Sequence, residues 1–236
     1  MANEITFTNM LGLDFFPPKP AIKEVPDWYK NTPEYITEEG KKKDHKHGTP
    51  HTVKKCMPVF DSMTAGYILY TQVDVQVYAG YDKEEGGTFP SYHWPSQDAL
   101  NFHSIIQNPI HPKGNGTAYP KWVNPYAIKT PPGYSILILP PMHNPNKIFT
   151  ILEGIVDTDT YLNEINFPFV LNDVKWEGII EAGTPMAQVI PFKRETWEHR
   201  IGSDKERVES NRLEAKLNTK LFNSYKKQFW SRKEFK

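Results

Sequence analysis

The chain of 236 residues is poor in cysteine, carries no net charge and contains no long apolar run. Its one cysteine, Cys56, excludes an internal disulfide and a cysteine-rich zinc site, and fits a reducing compartment. The 28 basic and 28 acidic side chains cancel, so no global field draws the protein to nucleic acid or to an anionic membrane. No stretch approaches the roughly 20 apolar residues that span a bilayer, and the opening MANEITFTNM lacks the basic and apolar blocks of a secretory signal. The expected location is the cytoplasm. Walker loops, G-x-G-x-x-G, HExxH, H-x-D and G-x-S-x-G are missing, so no motif specifies a cofactor, a catalytic metal or a serine nucleophile.

Proline is plentiful instead, with 21 residues against a usual share of about 5%. Each one is barred from helix interiors and central strand positions, which argues against a helical bundle. Aromatic residues form 13% of the chain within an apolar share of 38%, enough bulk for a sizeable core. Residues 1–60 read as an irregular wrapping segment punctuated by Pro17, Pro18, Pro20, Pro26 and Pro33, with a brief helix at VPDWYKN pinned by Trp28 and Tyr29. His45, His47 and His51 lie in the lysine-rich KKKDHKHGTPHTVKK, which reads as a solvated loop rather than a metal site.

Residues 61–202 read as a β domain. In GYILYTQVDVQVYAG, Leu69, Thr71, Val73, Val75 and Val77 alternate with polar partners at the two-residue period of a strand. Further strands follow at YSILIL, IFTILEGIV, EINFPFVL, EGIIE and MAQVIPF. Ile165, Phe167, Phe169 and Leu171 share one face, and Pro168 suggests an edge or a bulge. Short strands joined by Gly, Pro and Asn turns indicate a mainly β barrel or sandwich. Residues 203–236 read as one amphipathic helix. Ser203 and Glu206 match a capping box, and Leu213, Leu217, Leu221, Tyr225 and Phe229 form a stripe that needs a partner surface. This tail holds ten basic and five acidic residues, about +5, leaving about −5 for the rest. Its acidic residues dilute the positive field and argue against nucleic acid as a partner.

Candidate chemistry concentrates in GIVDTDTYLNEINFPFVLN. Asp157 and Asp159, two apart, project from one face of an extended chain, where repulsion raises one pKa or a cation binds between them; a plain D-T-D-T turn is the alternative. His93, Trp94 and Gln97 in YHWPSQ are candidates to line a ligand pocket by stacking and hydrogen bonding.

The strings NPYAIKTPPGYS, VDTDTYLNEINFPF and GTPMAQVIPFKRETW resemble the pattern of an uncharacterised family of tailed phages and some bacteria, which implies a phage origin and no particular activity. Over residues 133–194 the order of GIVDTDTYLNEI and EAGTPMAQVIPF is similar to that of the dUTPase and dCTP-deaminase superfamily. That likeness implies a dUTPase-like barrel, trimeric association and a nucleotide-like ligand. It implies Asp157 as the water-activating carboxylate, Tyr161 beneath sugar and base, and Gln188 as the strand glutamine; Asp159 joins them as a candidate ligand contact through its spacing from Asp157. Where the superfamily holds phosphates with an Arg-Ser-rich segment, this chain reads LPPMHNPNKI, without arginine or serine. The resulting expectation is a mainly β domain, dUTPase-like or jelly-roll-like, acting as a phage accessory protein in host cytoplasm. The alternatives are a virion or assembly protein and a jelly-roll metal-dependent oxygenase.

Overall fold

The computed structural model describes residues 3–36, 51–82, 87–95, 99–104, 107, 119–218 and 224–236. His45, His47, Gln97 and Leu221 lie outside them. In chain order the elements are β1 (Thr6–Asn9), β2 (Lys19–Pro20), α1 (Asp27–Asn31), α2 (Met57–Thr64), β3 (Tyr67–Tyr70), β4 (Val75–Asp82), β5 (Gly87–His93) and β6 (Leu100–His103). There follow β7 (Tyr119–Trp122), β8 (Tyr126–Lys129), β9 (Tyr134–Leu139), β10 (Phe149–Ile151), β11 (Gly154–Val156), β12 (Phe167–Leu171), β13 (Gly178–Ile180) and β14 (Pro185–Lys193), then the helices α3 (Asp204–Asn218) and α4 (Ser224–Gln228).

Antiparallel pairing builds a five-stranded sheet β11-β9-β14-β3-β2, a four-stranded sheet β10-β12-β7-β6, a three-stranded sheet β13-β4-β5 and the pair β1-β8. All four orders are linear, so no sheet closes on itself among the described residues. Of the two architectures the sequence allows, the sandwich is the one formed. Alternation explains why. Leu69, Ile136, Ile138 and Val189 from the larger sheet face Phe149, Phe167, Phe169 and Trp122 from the four-stranded one, and all are buried. Trp122 stacks on Phe169 at 5.0 Å between ring centroids.

Three sequence expectations change in detail. GYILYTQVDVQVYAG forms two strands in different sheets, β3 and β4, rather than one. Between them Thr71 N–H donates to Thr184 O and Asp74 Oδ1 accepts from Ala182 N–H, which bends the chain across the sandwich. Pro168 lies inside a sheet, between β7 and β10. Its carbonyl accepts from Leu152 N–H, and a strand residue's two backbone groups point the same way, so the missing donor faces the end of β10 and leaves the β7 pairing intact. The tail is helical over α3 and α4 but not to its end, since residues 229–236 are non-helical, and Val208 and Leu213 of α3 stay exposed. The capping box is half formed, with Glu206 accepting from Ser203 N–H at 2.7 Å.

The N-terminal segment covers the outer face of β3, where Ala21 packs against Ile68 and Tyr70. The turn into β3 requires glycine: Gly66 has φ +70°, and a Cβ there would sit 2.0 Å from Val189 O. The end of the chain returns to the same region. Trp230 Nε1 donates to both oxygens of Asp61 in α2 at 2.9 Å, Lys233 pairs with Asp61 at 2.7 Å, and Phe235 lies edge-on to Tyr67.

Candidate functional site

The two aspartates follow β11 in a tight turn whose middle residue, Thr158, is fully buried and hydrogen-bonded to the Thr130 hydroxyl at 2.7 Å. With Thr158 turned inward, Asp157 and Asp159 both meet Arg194, which follows β14. The guanidinium is bidentate to Asp159, with Nη1 at 2.9 Å from Oδ1 and Nη2 bonded to Oδ2, and Nη1 lies 3.3 Å from Asp157 Oδ1. Gly133 N–H donates to Asp159 at 2.8 Å, from a TPPGYS turn that needs the residue's φ of +82°. Ser135 Oγ donates to Asp157 at 2.6 Å. The Asp159 side chain is 6% exposed and that of Asp157 61%.

The sequence left open a raised pKa, a cation bound between the carboxylates or a plain turn; the structure forms the turn, with Arg194 against both carboxylates. Arg194 holds the Asp159 carboxyl down at about 2, with the Gly133 N–H as second cause. Every charge of the turn has an internal partner, so the arrangement ties the turn to β9 and β14. Arg194 escaped the sequence reading, although register gives a signal: Lys193 pairs with Tyr134, which sets the next residue beside the TPPGYS turn.

Of the other candidates only Tyr161 adjoins this turn. Tyr161 has its ring half exposed and its N–H on Asp157 O at 3.0 Å. Gln188 is six residues before Arg194 along β14, roughly 20 Å at strand rise. It is fully buried; its amide donates to Ser62 O at 2.9 Å and Ala65 O at 2.7 Å and accepts from Met142 N–H at 2.8 Å. These bonds join β14 to the end of α2 and to the loop after β9. His93 and Trp94 line an open depression of about 280 Å³ with Asp74, Gln76 and Ile179 on the three-stranded sheet. His93 meets Tyr78 edge-on at 5.4 Å. Among the described residues no three His, Cys, Asp or Glu side chains converge on a point, so they supply no ligand set for an oxygenase iron.

A larger cleft, of about 990 Å³, opens between the N-terminal segment and the tail. Lys23, Lys30, Lys54, Lys226, Arg232, Lys233 and Lys236 line it against Glu34 and Glu234, and Tyr29, Phe60, Trp230 and Phe235 supply aromatic surface. Glu234 is shared by Arg232 at 3.3 Å and Lys236 at 3.1 Å. Lys23, Lys54 and Lys226 make no ion pair among the described residues. Lys54 Nζ donates to Tyr29 O and Lys30 O at the end of α1 and lies 4.5 Å from the Tyr29 ring centroid. Lys226 and Lys233 each lie 5.8 Å from the Trp230 ring. Sequence reading found the basic excess of the tail but not this cleft, because its walls are far apart in sequence: Trp230 and Lys233 meet Asp61 across 169 and 172 residues.

No helix among the described residues is long and apolar enough to cross a membrane. No family model and no curated protein matches the chain. Among solved structures, the dUTPase of Staphylococcus bacteriophage 80alpha is similar at 14% identity, covering 59% of this chain and 76% of its own, with a TM-score of 0.33. The dUTPase of phage phi11 of S. aureus gives the same identity and TM-score over 60% and 85%. Both belong to the superfamily that residues 133–194 resemble, and a likeness of this size carries no argument about site or activity.

Proposed function

We propose that this is a phage-type accessory protein that binds a small phosphorylated aromatic molecule, nucleotide-like in its chemistry, in the basic cleft. One observation carries the proposal: three of the cleft's cationic side chains, Lys23, Lys54 and Lys226, make no ion pair among the described residues, and they share the cleft with the rings of Tyr29, Phe60, Trp230 and Phe235. The cations suit phosphate oxygens, and stacking of a base on an aromatic side chain is worth about 1–3 kcal/mol. The volume lies at the upper end of the range for small-molecule sites, about 300–1,000 Å³. The ligand site thus moves from the Asp157 hairpin, whose charges are mutually satisfied, to the cleft, where Lys30, Arg232, Lys233 and Lys236 are ion-paired and Lys23, Lys54 and Lys226 are not, among the described residues. Asp157, Asp159 and Gln188 then hold the scaffold.

A thermal-shift and fluorescence titration with dUTP, ATP and tripolyphosphate tests this. Binding of the nucleotides, weakened by Lys23→Glu with Lys226→Glu, supports the proposal. No response to any of the three at millimolar concentration discards it.

A second reading, an assembly protein or homo-oligomer, is favoured by a different observation. The arm after β14 carries Trp197 and Ile201 with 83% and 95% exposure. Sedimentation at several concentrations tests it, with Trp197→Ala shifting any oligomer toward monomer.

A further inference from the structure

A second cavity, on the other side of β3, belongs to neither the cleft nor the acid turn. It measures about 190 Å³ and lies between the ends of β3 and β7, with Met186, Ala99 and Pro125 among its walls and Leu11, Leu13 and Phe15 as its roof. The roof is a built loop. Asn9 Oδ1 accepts from Leu11 N–H and Gly12 N–H, and its Nδ2 donates to Leu13 O at 2.7 Å. Met10 N–H ties the loop to Pro125 O at 2.9 Å. At the far end Gln72 both accepts from Phe16 N–H at 2.8 Å and donates to Phe16 O at 3.2 Å. Yet Leu11 and Leu13, which roof an apolar space, are about half exposed, so the opening to solvent is itself apolar.

The polar groups of the walls decide what fits. Thr71 Oγ is used up between Glu181 O at 2.8 Å and Thr184 N–H at 3.0 Å. Gln72 is used up between Phe16 and Tyr70 O. Trp122 is different: it is buried, it lines the cavity, and its indole Nε1 has no hydrogen-bond partner among the described residues. A buried donor without an acceptor is costly and rare. The Tyr70 hydroxyl is the other unpartnered polar atom among the lining side chains, so a water would find at most two side-chain partners, the low end of the two to four it needs. An engineered apolar cavity of roughly 150 Å³ elsewhere stays dry and takes up benzene.

We infer that this cavity is a binding site for a small, uncharged, ring-sized apolar molecule bearing one hydrogen-bond acceptor, which the Trp122 indole N–H receives. The site is independent of the basic cleft, and its ligand carries no phosphate.

The test titrates the full chain, with 15N-labelled tryptophan, with acetophenone and with α-methylstyrene, which have nearly the same shape but carry C=O and C=CH2 respectively. Acetophenone is expected to move the Trp122 indole N–H signal downfield, assigned by its loss in Trp122→Phe, and to bind about fivefold tighter than α-methylstyrene, the worth of one net hydrogen bond. Filling the space with Ala99→Leu is expected to abolish both, while Lys226→Glu leaves both unchanged. Equal affinity for the two probes, no binding at millimolar concentration, or a shift confined to other tryptophans overturns the assignment. So does a Trp122 signal that moves with protein concentration alone and stops moving in Trp197→Ala, because the occupant is then a second copy of the chain.

Discussion

Two charged regions of this molecule look alike in sequence and differ in what their charges meet. Around the turn after β11, Arg194 faces Asp157 and Asp159, and nearby Ser135 and Gly133 complete the hydrogen bonds. In the cleft, Lys226 and Lys233 flank Trp230, and Lys23, Lys54 and Lys226 make no ion pair among the described residues. A saturated polar cluster stabilises the fold and offers a ligand nothing new. An unsaturated one keeps its field for a partner. The same contrast separates Gln188, with all its bonds inside the protein, from the unpaired Trp122 indole.

Substitutions can break that contrast at several points. Gln188→Leu carries the largest expected effect: it strands Ser62 O, Ala65 O and Met142 N–H inside the sandwich, and chemical denaturation should show a loss of about 3 kcal/mol. Nucleotide binding to the folded fraction should be unchanged; a selective loss of binding at full stability would make Gln188 a ligand contact. Lys23→Glu with Lys226→Glu is expected to weaken nucleotide binding by at least about tenfold, about 1.4 kcal/mol, while stability stays within about 0.5 kcal/mol, because neither lysine makes an ion pair among the described residues. Calorimetry at low salt reads the first and urea titration the second.

Acid sharpens the contrast next. The Asp159 carboxyl sits at about 2 in the folded protein, against about 3.9 when unfolded. Its contribution to stability is therefore fully present above about pH 4 and is lost as pH falls toward 2. Glu206 is also held at about 2, chiefly by Arg200, and titrates in the same window. Asp159→Asn should flatten the acid limb of stability against pH, and adding Glu206→Gln should flatten it further; an unchanged limb would deny Asp159 its role. The smallest effect belongs to Asp157→Asn. Mostly exposed, Asp157 should cost about 0.5 kcal/mol or less, with nucleotide affinity unaltered.

The sheets were largely legible before any coordinates. Val75 and Val77 in β4, and Phe167, Phe169 and Leu171 in β12, are buried where two-residue periodicity put them, because one face of each strand meets a core. Periodicity carries no information on which strand pairs with which, so the change of sheet at Thr71–Asp74 and the interior place of Pro168 were hidden. β3 hid more, since its two faces are both covered, one by the core and one by the N-terminal segment, and no alternation survives. The acid pair was legible as a pair and not as a cluster, because Arg194 stands 35 residues from Asp159 in sequence. The tail stripe was legible as a pattern, but Val208 and Leu213 of α3 stay exposed among the described residues, and the residues that do dock, Trp230 and Phe235, follow α4.

The most direct measurement of the central claim is hydrogen exchange of the full chain with and without saturating dUTP, followed by mass spectrometry. Protection is expected at residues 21–31, 54–64 and 224–236, which wall the cleft, with residues 154–163 unchanged. Protection confined to 154–163, or dUTP binding that leaves the cleft segments untouched, would return the ligand site to the aspartate turn and contradict the assignment.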